Sequence, residues 1–202
     1  MAFFQASMLY YITVLLNVKE SQSFLVMLTA IAVALCLFPF VIKLSKKYGK
    51  KIMLLIAETI FTIVYCFIYI GDHVVAMFPG HELLVGLMMG IVVAFPFASI
   101  NILPQSVVSD IIQEDSINTG INREGMFSAC KTFIEKIASA IALMCVSSVL
   151  AIGALSGEVV GLTGVKLTGA IAMVFSLLSI YFYYHYNEKK VLNTIQRSRN
   201  DE

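Results

Sequence analysis

Residues 21–42 read SQSFLVMLTAIAVALCLFPFVI, a run without one charged side chain. A bilayer's hydrocarbon core is about 30 Å thick and an α-helix rises about 1.5 Å per residue, so roughly 20 apolar residues cross it. This run meets that length. It is apolar on every face, without the polar–apolar alternation of a lipid-facing barrel strand. Such a segment satisfies its backbone groups internally, as a spanning helix.

The pattern recurs on both sides. Met1–Val18, Leu83–Ser109 and Ile137–Gly157 carry no charge, Ile52–Gly71 carries only Glu58, and Leu167–Asn187 carries only His185. The first run is marginal, since its residues reach only about 27 Å. The fold expected is all-α: a polytopic membrane bundle of six transmembrane helices near residues 1–18, 21–42, 52–71, 83–109, 125–152 and 167–187, with a tail over 188–202. Composition agrees, at 59% hydrophobic and 13% charged residues with a mean hydropathy of +0.86. Soluble domains carry roughly 25% charge, so a soluble domain, a disordered chain and a disulfide-stapled scaffold are excluded. A net charge of +1 offers nucleic acid no attracting field.

Lys43, Lys46, Lys47, Lys50, Lys51, Arg123, Lys189, Lys190, Arg197 and Arg199 fall in one set of connections; the opposite set holds only Lys19 and Lys166. Positive charge stays inside, so the C-terminus is expected in the cytoplasm and the chain in the cell (plasma) membrane. Tyr181, Tyr183, Tyr184 and Tyr186 then form an interfacial aromatic belt. Residues 1–18 have no basic leader and no cleavage site, so no signal peptide is expected. Cys36, Cys66, Cys130 and Cys145 lie inside apolar runs and read as small packing residues. No metal spacing, phosphate loop or nucleophile elbow is present, and no histidine lies deep enough to serve as an intramembrane base. Neither an enzyme nor a bound cofactor is expected.

Charge inside a bilayer costs at least ~2.5–3.5 kcal/mol per group, so such groups are functional candidates. Glu124, Ser128, Lys131 and Glu135 make one polar stripe at helical spacing, with Thr132, Lys136 and Ser139 beside it. That face looks at protein or a watery cavity. Alternatively Ile137–Gly157 spans by itself and Lys131 and Lys136 snorkel at the edge. Glu58, Thr62, Tyr65 and Tyr69 share a face of the third helix; Glu58 reaches the interface, pairs with Lys50 or Lys51, or serves a site. Asn101 lies between Pro96 and Pro104. Prolines free backbone carbonyls, which in spanning helices often line transport sites. Asn101 and Gln105 are candidate hydrogen-bonding groups for a polyhydroxy ligand, or Asn101 braces a structural kink. Gly86 and Gly90 fit the close-packing Gly-x-x-x-Gly pattern.

The stretch Leu103-Pro-Gln-Ser-Val-Val-Ser-Asp110-Ile-Ile112, followed by Thr119-Gly-Ile-Asn-Arg-Glu-Gly125, resembles the loop between helices ten and eleven of the glycoside–pentoside–hexuronide:cation symporters, the melibiose-permease-like branch of the major facilitator superfamily. Asp110, Thr119, Gly120, Arg123, Glu124 and Gly125 match the family pattern in order and spacing. Thr132-Phe-Ile-Glu-Lys136 resembles the start of helix eleven, Lys43–Lys51 the basic loop after helix eight, and Tyr186–Val191 the entry to the tail. The sequence departs from the pattern at Gln113, Ser116 and Asn118, which leaves Glu114 and Asp115 as substitutes in the loop's ion pairs.

The resemblance implies alternating access by two bundles, of which this chain holds the equivalent of helices seven to twelve. It makes Lys136 a cavity cation, with Asn101 and Gln105 as hydrogen-bonding groups and Tyr10 or Tyr11 for ring packing. Asp110, Arg123 and Glu124 become a cytoplasmic gate. The coupling cation, Na+ or H+, is expected mainly on the other bundle, so the implied partners are lipid, a small sugar, and an N-terminal half bundle or a second copy. The function expected is sugar:cation symport by a fragment or half-transporter. The alternatives are a non-transporting structural or regulatory subunit, or a carrier of another solute such as a lipid.

Overall fold

The computed structural model describes residues 2–16, 18–76, 81–152 and 160–201. Met1 and Asn17 of the first expected helix, and Glu202 of the tail, lie outside these. The described residues form α1 (Ala2–Tyr10), a π-helical turn (Tyr11–Leu15), α2 (Glu20–Tyr48), α3 (Lys50–Ala76), α4 (Glu82–Thr119), α5 (Glu124–Leu150), α6 (Leu162–His185) and α7 (Glu188–Asp201).

Five of these helices, α2 to α6, are long and apolar enough to cross a membrane; Phe3–Leu15 is a shorter apolar segment. The count of six is therefore not confirmed: the first run, marginal in length, gives this shorter segment. The hydroxyl of Thr13 bonds the carbonyl of Leu9 at 2.9 Å, competing with the helical ladder. The next turn then widens, and the N–H of Leu16 reaches back to the carbonyl of Tyr11 at 3.2 Å.

Elsewhere the helices outrun the uncharged segments. The fourth run ends at Ser109, yet α4 continues to Thr119, where Gly120 in the left-handed region (φ +68°) closes it with an N–H bond to Ser116. Charge marks where the bilayer ends, and a helix does not stop there. Pro96 and Pro104 lie within α4 and do not divide it.

Small residues set the packing, as expected where lipid offers no hydrophobic drive between helices. Gly86 and Gly90 bring α4 onto Val26 and Ala30 of α2; a Cβ on Gly90 would meet the Val26 carbonyl at 3.4 Å. Gly164 brings α6 against the end of α5, and Gly169 against Ile68 of α3. One apolar cluster joins Phe4, Phe61, Tyr65, Val146 and Val165. A second joins Ala34, Val41, Leu54, Ala94 and Leu103 toward the lysine-rich end. Phe24, Leu35, Phe40 and many other large apolar side chains point outward, as lipid contact requires.

All four cysteines are exposed, so they are not packing residues. A lipid-facing surface is as apolar as a core and accommodates a thiol equally well. Tyr181 and Tyr184 face outward as the belt expectation has them, whereas Tyr183 and Tyr186 pack against the second apolar cluster. The tail is helical: α7 lies against α4 with Val191 buried.

Candidate functional site

Along α5 only Val146 and Leu150 are buried. The helix is anchored at that end against α1 and α6 and otherwise stands away from α4. The gap is a cleft of about 800 Å³. Gln5 of α1, Asn101, Pro104 and Gln105 of α4, and Lys131, Glu135, Lys136, Ser139 and Cys145 of α5 line it, with Phe175 of α6. Helical periodicity explains the grouping. Lys131, Glu135 and Ser139 recur every fourth residue on one stripe, and Asn101, Pro104 and Gln105 sit one turn apart on α4.

Lys131 Nζ pairs with Glu135 Oε1 at 2.8 Å, and the lysine is the more buried partner. Lys136 makes no ion pair among the described residues. It lies about 18 Å along α5 from Glu124, deep for an exposed amine in a bilayer. The cleft therefore carries two lysines against one carboxylate. Asn101 donates its amide to the carbonyl of Phe97 at 2.7 Å, and its own side-chain oxygen accepts nothing among the described residues. Pro104 has no N–H for the carbonyl of Ile100, which also lines the cleft. Amides, a hydroxyl, a cation and spare carbonyls on an apolar floor are the groups that recognise a polyhydroxy ligand.

Lys136, Asn101 and Gln105 thus meet in one cavity, and sequence reasoning missed Gln5, whose amide on a mostly apolar helix was the available signal. The two tyrosines lie elsewhere. Tyr11 is 5% exposed, is hydrogen-bonded to Thr168 at 3.1 Å and lines a separate small apolar pocket. Tyr10 is half-buried against the core. Five or six residues past Gln5, they fall about 140–240° around α1 from it, which turns them away from the cleft.

Two of the three residues of the expected gate join separate ion pairs, and the third joins none among the described residues. Asp110 holds Lys50 Nζ at 2.6 Å, and that amine also donates to the carbonyl of Ser106. Arg123 grips Asp115 through two parallel bonds of 2.7 and 3.0 Å. Glu124 is exposed, and its backbone N–H bonds Asn122. Lys50 and Asp115 therefore take the places of partners within the trio.

The same end carries a carboxylate cap. Glu188 of α7 accepts the backbone N–H of Lys50 at 2.6 Å and of Lys51 at 3.1 Å. Both are unpaired donors of the first turn of α3, where the helix dipole favours an anion. Lys51 Nζ binds the carbonyls of Tyr184 and Tyr186, each at 2.7 Å, at the end of α6, where the dipole favours a cation. The Tyr186 hydroxyl is pushed up to about 12 by burial, with the charges of Asp110, Glu188 and Glu114 adding to it.

Glu58 does not pair with Lys50 or Lys51, whose amines are held by Asp110 and by backbone carbonyls. It is buried at 9% exposure and held by the hydroxyls of Ser176 and Ser179.

A family model described as MFS/sugar transport protein matches residues 1–187. The chain belongs to this family. No curated protein and no solved structure gives a significant match. Membership makes the protein a membrane transporter of the major facilitator type rather than an enzyme. The cleft and its polar lining lie within the matched residues.

Proposed function

We propose that this chain forms one wall of a sugar:cation symporter of the melibiose-permease-like branch, working by alternating access against a second bundle or a second copy. The single observation that carries the reading is the cleft where Lys136, Asn101 and Gln105 converge with Gln5, Glu135 and Ser139. Because α5 exposes both cleft and outer surfaces along most of its length, its polar stripe needs a protein cover to be kept from lipid. The substrate class is a glycoside, pentoside or hexuronide, bound by amide and hydroxyl hydrogen bonds and oriented by the amine of Lys136. The lysine-rich end, with Asp110–Lys50 and Arg123–Asp115, faces the cytoplasm of a cell whose plasma membrane holds the protein. Those ion pairs close one state and open in the other, a differential contact that biases the equilibrium.

Uptake of a radiolabelled galactoside into vesicles from membranes expressing the protein tests this. A hydrogen bond to a charged group is worth about 1.5–3 kcal/mol, so Lys136→Ala should lower uptake at least about tenfold. Unchanged uptake at equal protein level refutes the role of Lys136 and favours a non-transporting subunit. Robust gradient-driven uptake by vesicles holding the purified monomer alone refutes the one-wall reading.

A further inference from the structure

We propose that Glu58 is the centre of a sodium-binding site within this chain, formed at the α3–α6 interface by its carboxylate with the hydroxyls of Thr62, Ser176 and Ser179. As a transport element it rests on the symport reading above; as a binding site it stands on its own geometry.

Ser176 Oγ lies 3.0 Å from Glu58 Oε2, 3.1 Å from the Glu58 main-chain oxygen and 2.9 Å from Thr62 Oγ1. Thr62 Oγ1 is 2.9 Å from that same main-chain oxygen, and Ser179 Oγ is 3.0 Å from Glu58 Oε1. Three hydroxyl hydrogens therefore serve five oxygen–oxygen approaches. The cluster is richer in lone pairs than in protons, which is the condition a bound cation relieves. Its six oxygens carry one formal negative charge. Hard cations take such all-oxygen sets, and Ca2+ or Mg2+ sites usually add further carboxylates or waters, so a monovalent ion fits the charge.

The competing explanations account for less. Among the described residues no lysine, arginine or histidine side chain pairs with Glu58; Lys50 and Lys51 are committed to Asp110 and to backbone carbonyls. Hydroxyl bonds ease the burial of this carboxylate without cancelling its charge, so part of the membrane penalty remains. Were the role one of packing, a glutamine would make comparable bonds without that cost. A proton would neutralise the charge and supply a fourth hydrogen, still fewer than the five approaches, and would leave the adjoining cavity unused.

There is also room. A cavity of about 140 Å³ lies beside Glu58, Ser176 and Ser179, space for an ion with a water ligand. Phe3, Ile100 and Phe175 line both this chamber and the large cleft. The ion would sit one apolar layer behind the sugar wall. Binding there draws the carboxylate of α3 and the hydroxyls of α6 onto a common centre, and the shared wall transmits a change in their spacing to the cleft.

The test is equilibrium binding of 22Na+ to the chain solubilised from the membranes that express it, with helical content checked by circular dichroism. The expected result is saturable binding displaced by unlabelled Na+ and not by choline. Glu58→Gln and Ser176→Ala each raise the Kd at least tenfold, while Glu20→Gln, at the start of α2, leaves it unchanged. Absence of saturable binding to the folded wild-type chain overturns the proposal, as does binding undiminished in both site variants or weakened equally by Glu20→Gln. Sugar uptake plays no part in this readout. A failure here leaves the Lys136 cleft standing, and a failure of Lys136→Ala to alter uptake leaves the sodium site standing.

Discussion

Replacing Glu188 should loosen the first turn of α3 and the whole of α7 together. The carboxylate accepts two backbone N–H groups, from Lys50 at 2.6 Å and Lys51 at 3.1 Å. An α-helix leaves its first four N–H groups without intrahelical partners, so these two lose their acceptor unless water replaces it. Loss of a side-chain cap costs about 0.5–2 kcal/mol, and an anion at a helix N-terminus contributes about 0.3–1 kcal/mol more. Glu188 is half-buried, which keeps the sum near about 2 kcal/mol for Glu188→Ala. Glu188→Gln keeps one acceptor and loses the charge, so its cost is about 1 kcal/mol by the same principles. Each 1.4 kcal/mol is tenfold in an opening equilibrium. Hydrogen exchange followed by mass spectrometry should therefore show peptides covering residues 50–53 and 188–198 exchanging roughly 30-fold faster in Glu188→Ala and about 5-fold faster in Glu188→Gln, by that conversion. Peptides from the middle of α3 should not change. Gly49→Ala attacks the same contact from the other side, because its Cβ would meet Glu188 Oε2 at 2.9 Å and its φ of +93° strains any L-residue. Exchange in Glu188→Ala indistinguishable from wild type would refute the cap, and acceleration confined to α7 would show that α3 does not depend on it.

Gly164→Ala should lower thermal stability by about 2–3 kcal/mol, the scale of overpacking, since its Cβ would lie 2.5 Å from the Val149 carbonyl and 2.7 Å from that of Leu150. Gly169→Ala meets only the Ile68 side chain, at 2.9 Å, and should cost less; the reverse order in melting curves would contradict this packing. Tyr186→Phe removes a buried hydroxyl that has no hydrogen-bond partner among the described residues, so it should be neutral or mildly stabilising. The phenol is pushed up to about 12, above the ordinary value of about 10. The folded state thus binds more protons than the unfolded between those values, and this group's contribution to stability falls as pH rises through that window. The tyrosinate absorbance lost in Tyr186→Phe should accordingly titrate nearer 12 than 10. With Cys36, Cys66 and Cys130 changed to Ala, a membrane-impermeant thiol reagent should label Cys145 from the cleft, whereas a chain keeping only Cys36 or Cys66 should resist, because such a reagent does not reach a thiol covered by lipid. Equal labelling of all three would mean that the cleft is not wetter than the outer surface.

The spans were legible because the bilayer's penalty on charge is local: a run such as 21–42 announces itself whatever its neighbours do. Helix ends were not, since nothing in the Ser109–Thr119 stretch opposes helix once water replaces lipid. Lys136, Asn101 and Gln105 could be read because a polar stripe on an otherwise apolar helix has few places to go. The rotation of α1, which sends Gln5 into the cleft and Tyr11 into the core, depends on packing from α3 and α6 that no local pattern records. Glu58 was visible as a charge and opaque as a site. Its hydroxyl partners Ser176 and Ser179 lie more than a hundred residues away, and serine in a spanning helix is too common to point anywhere by itself.

Three solutions to one energetic problem account for where this chain keeps its charges. At the lysine-rich end, Lys50–Asp110 and Arg123–Asp115 are paired at 2.6 and 2.7 Å, the first largely buried and the second partly exposed. Partly solvated pairs contribute little net stability, a property suited to a contact proposed to break in each transport cycle. In the cleft, Lys131 is neutralised by Glu135 while Lys136 makes no ion pair among the described residues; such an amine is tolerable there only with water or ligand beside it, and it gains most from a ligand that supplies oxygen. Glu58 is the opposite case, a buried carboxylate whose neighbours stabilise it without cancelling its charge. Stability alone would favour an amide or an apolar residue at that position. The cleft amine and the buried carboxylate are thus each incomplete in the direction that the other's ligand cannot supply. One calls for a polar solute and the other for a cation, and Phe3, Ile100 and Phe175 line both chambers. Joint occupancy is the state in which neither charge is left bare, and that is a physical reason for the two ligands to favour each other's binding.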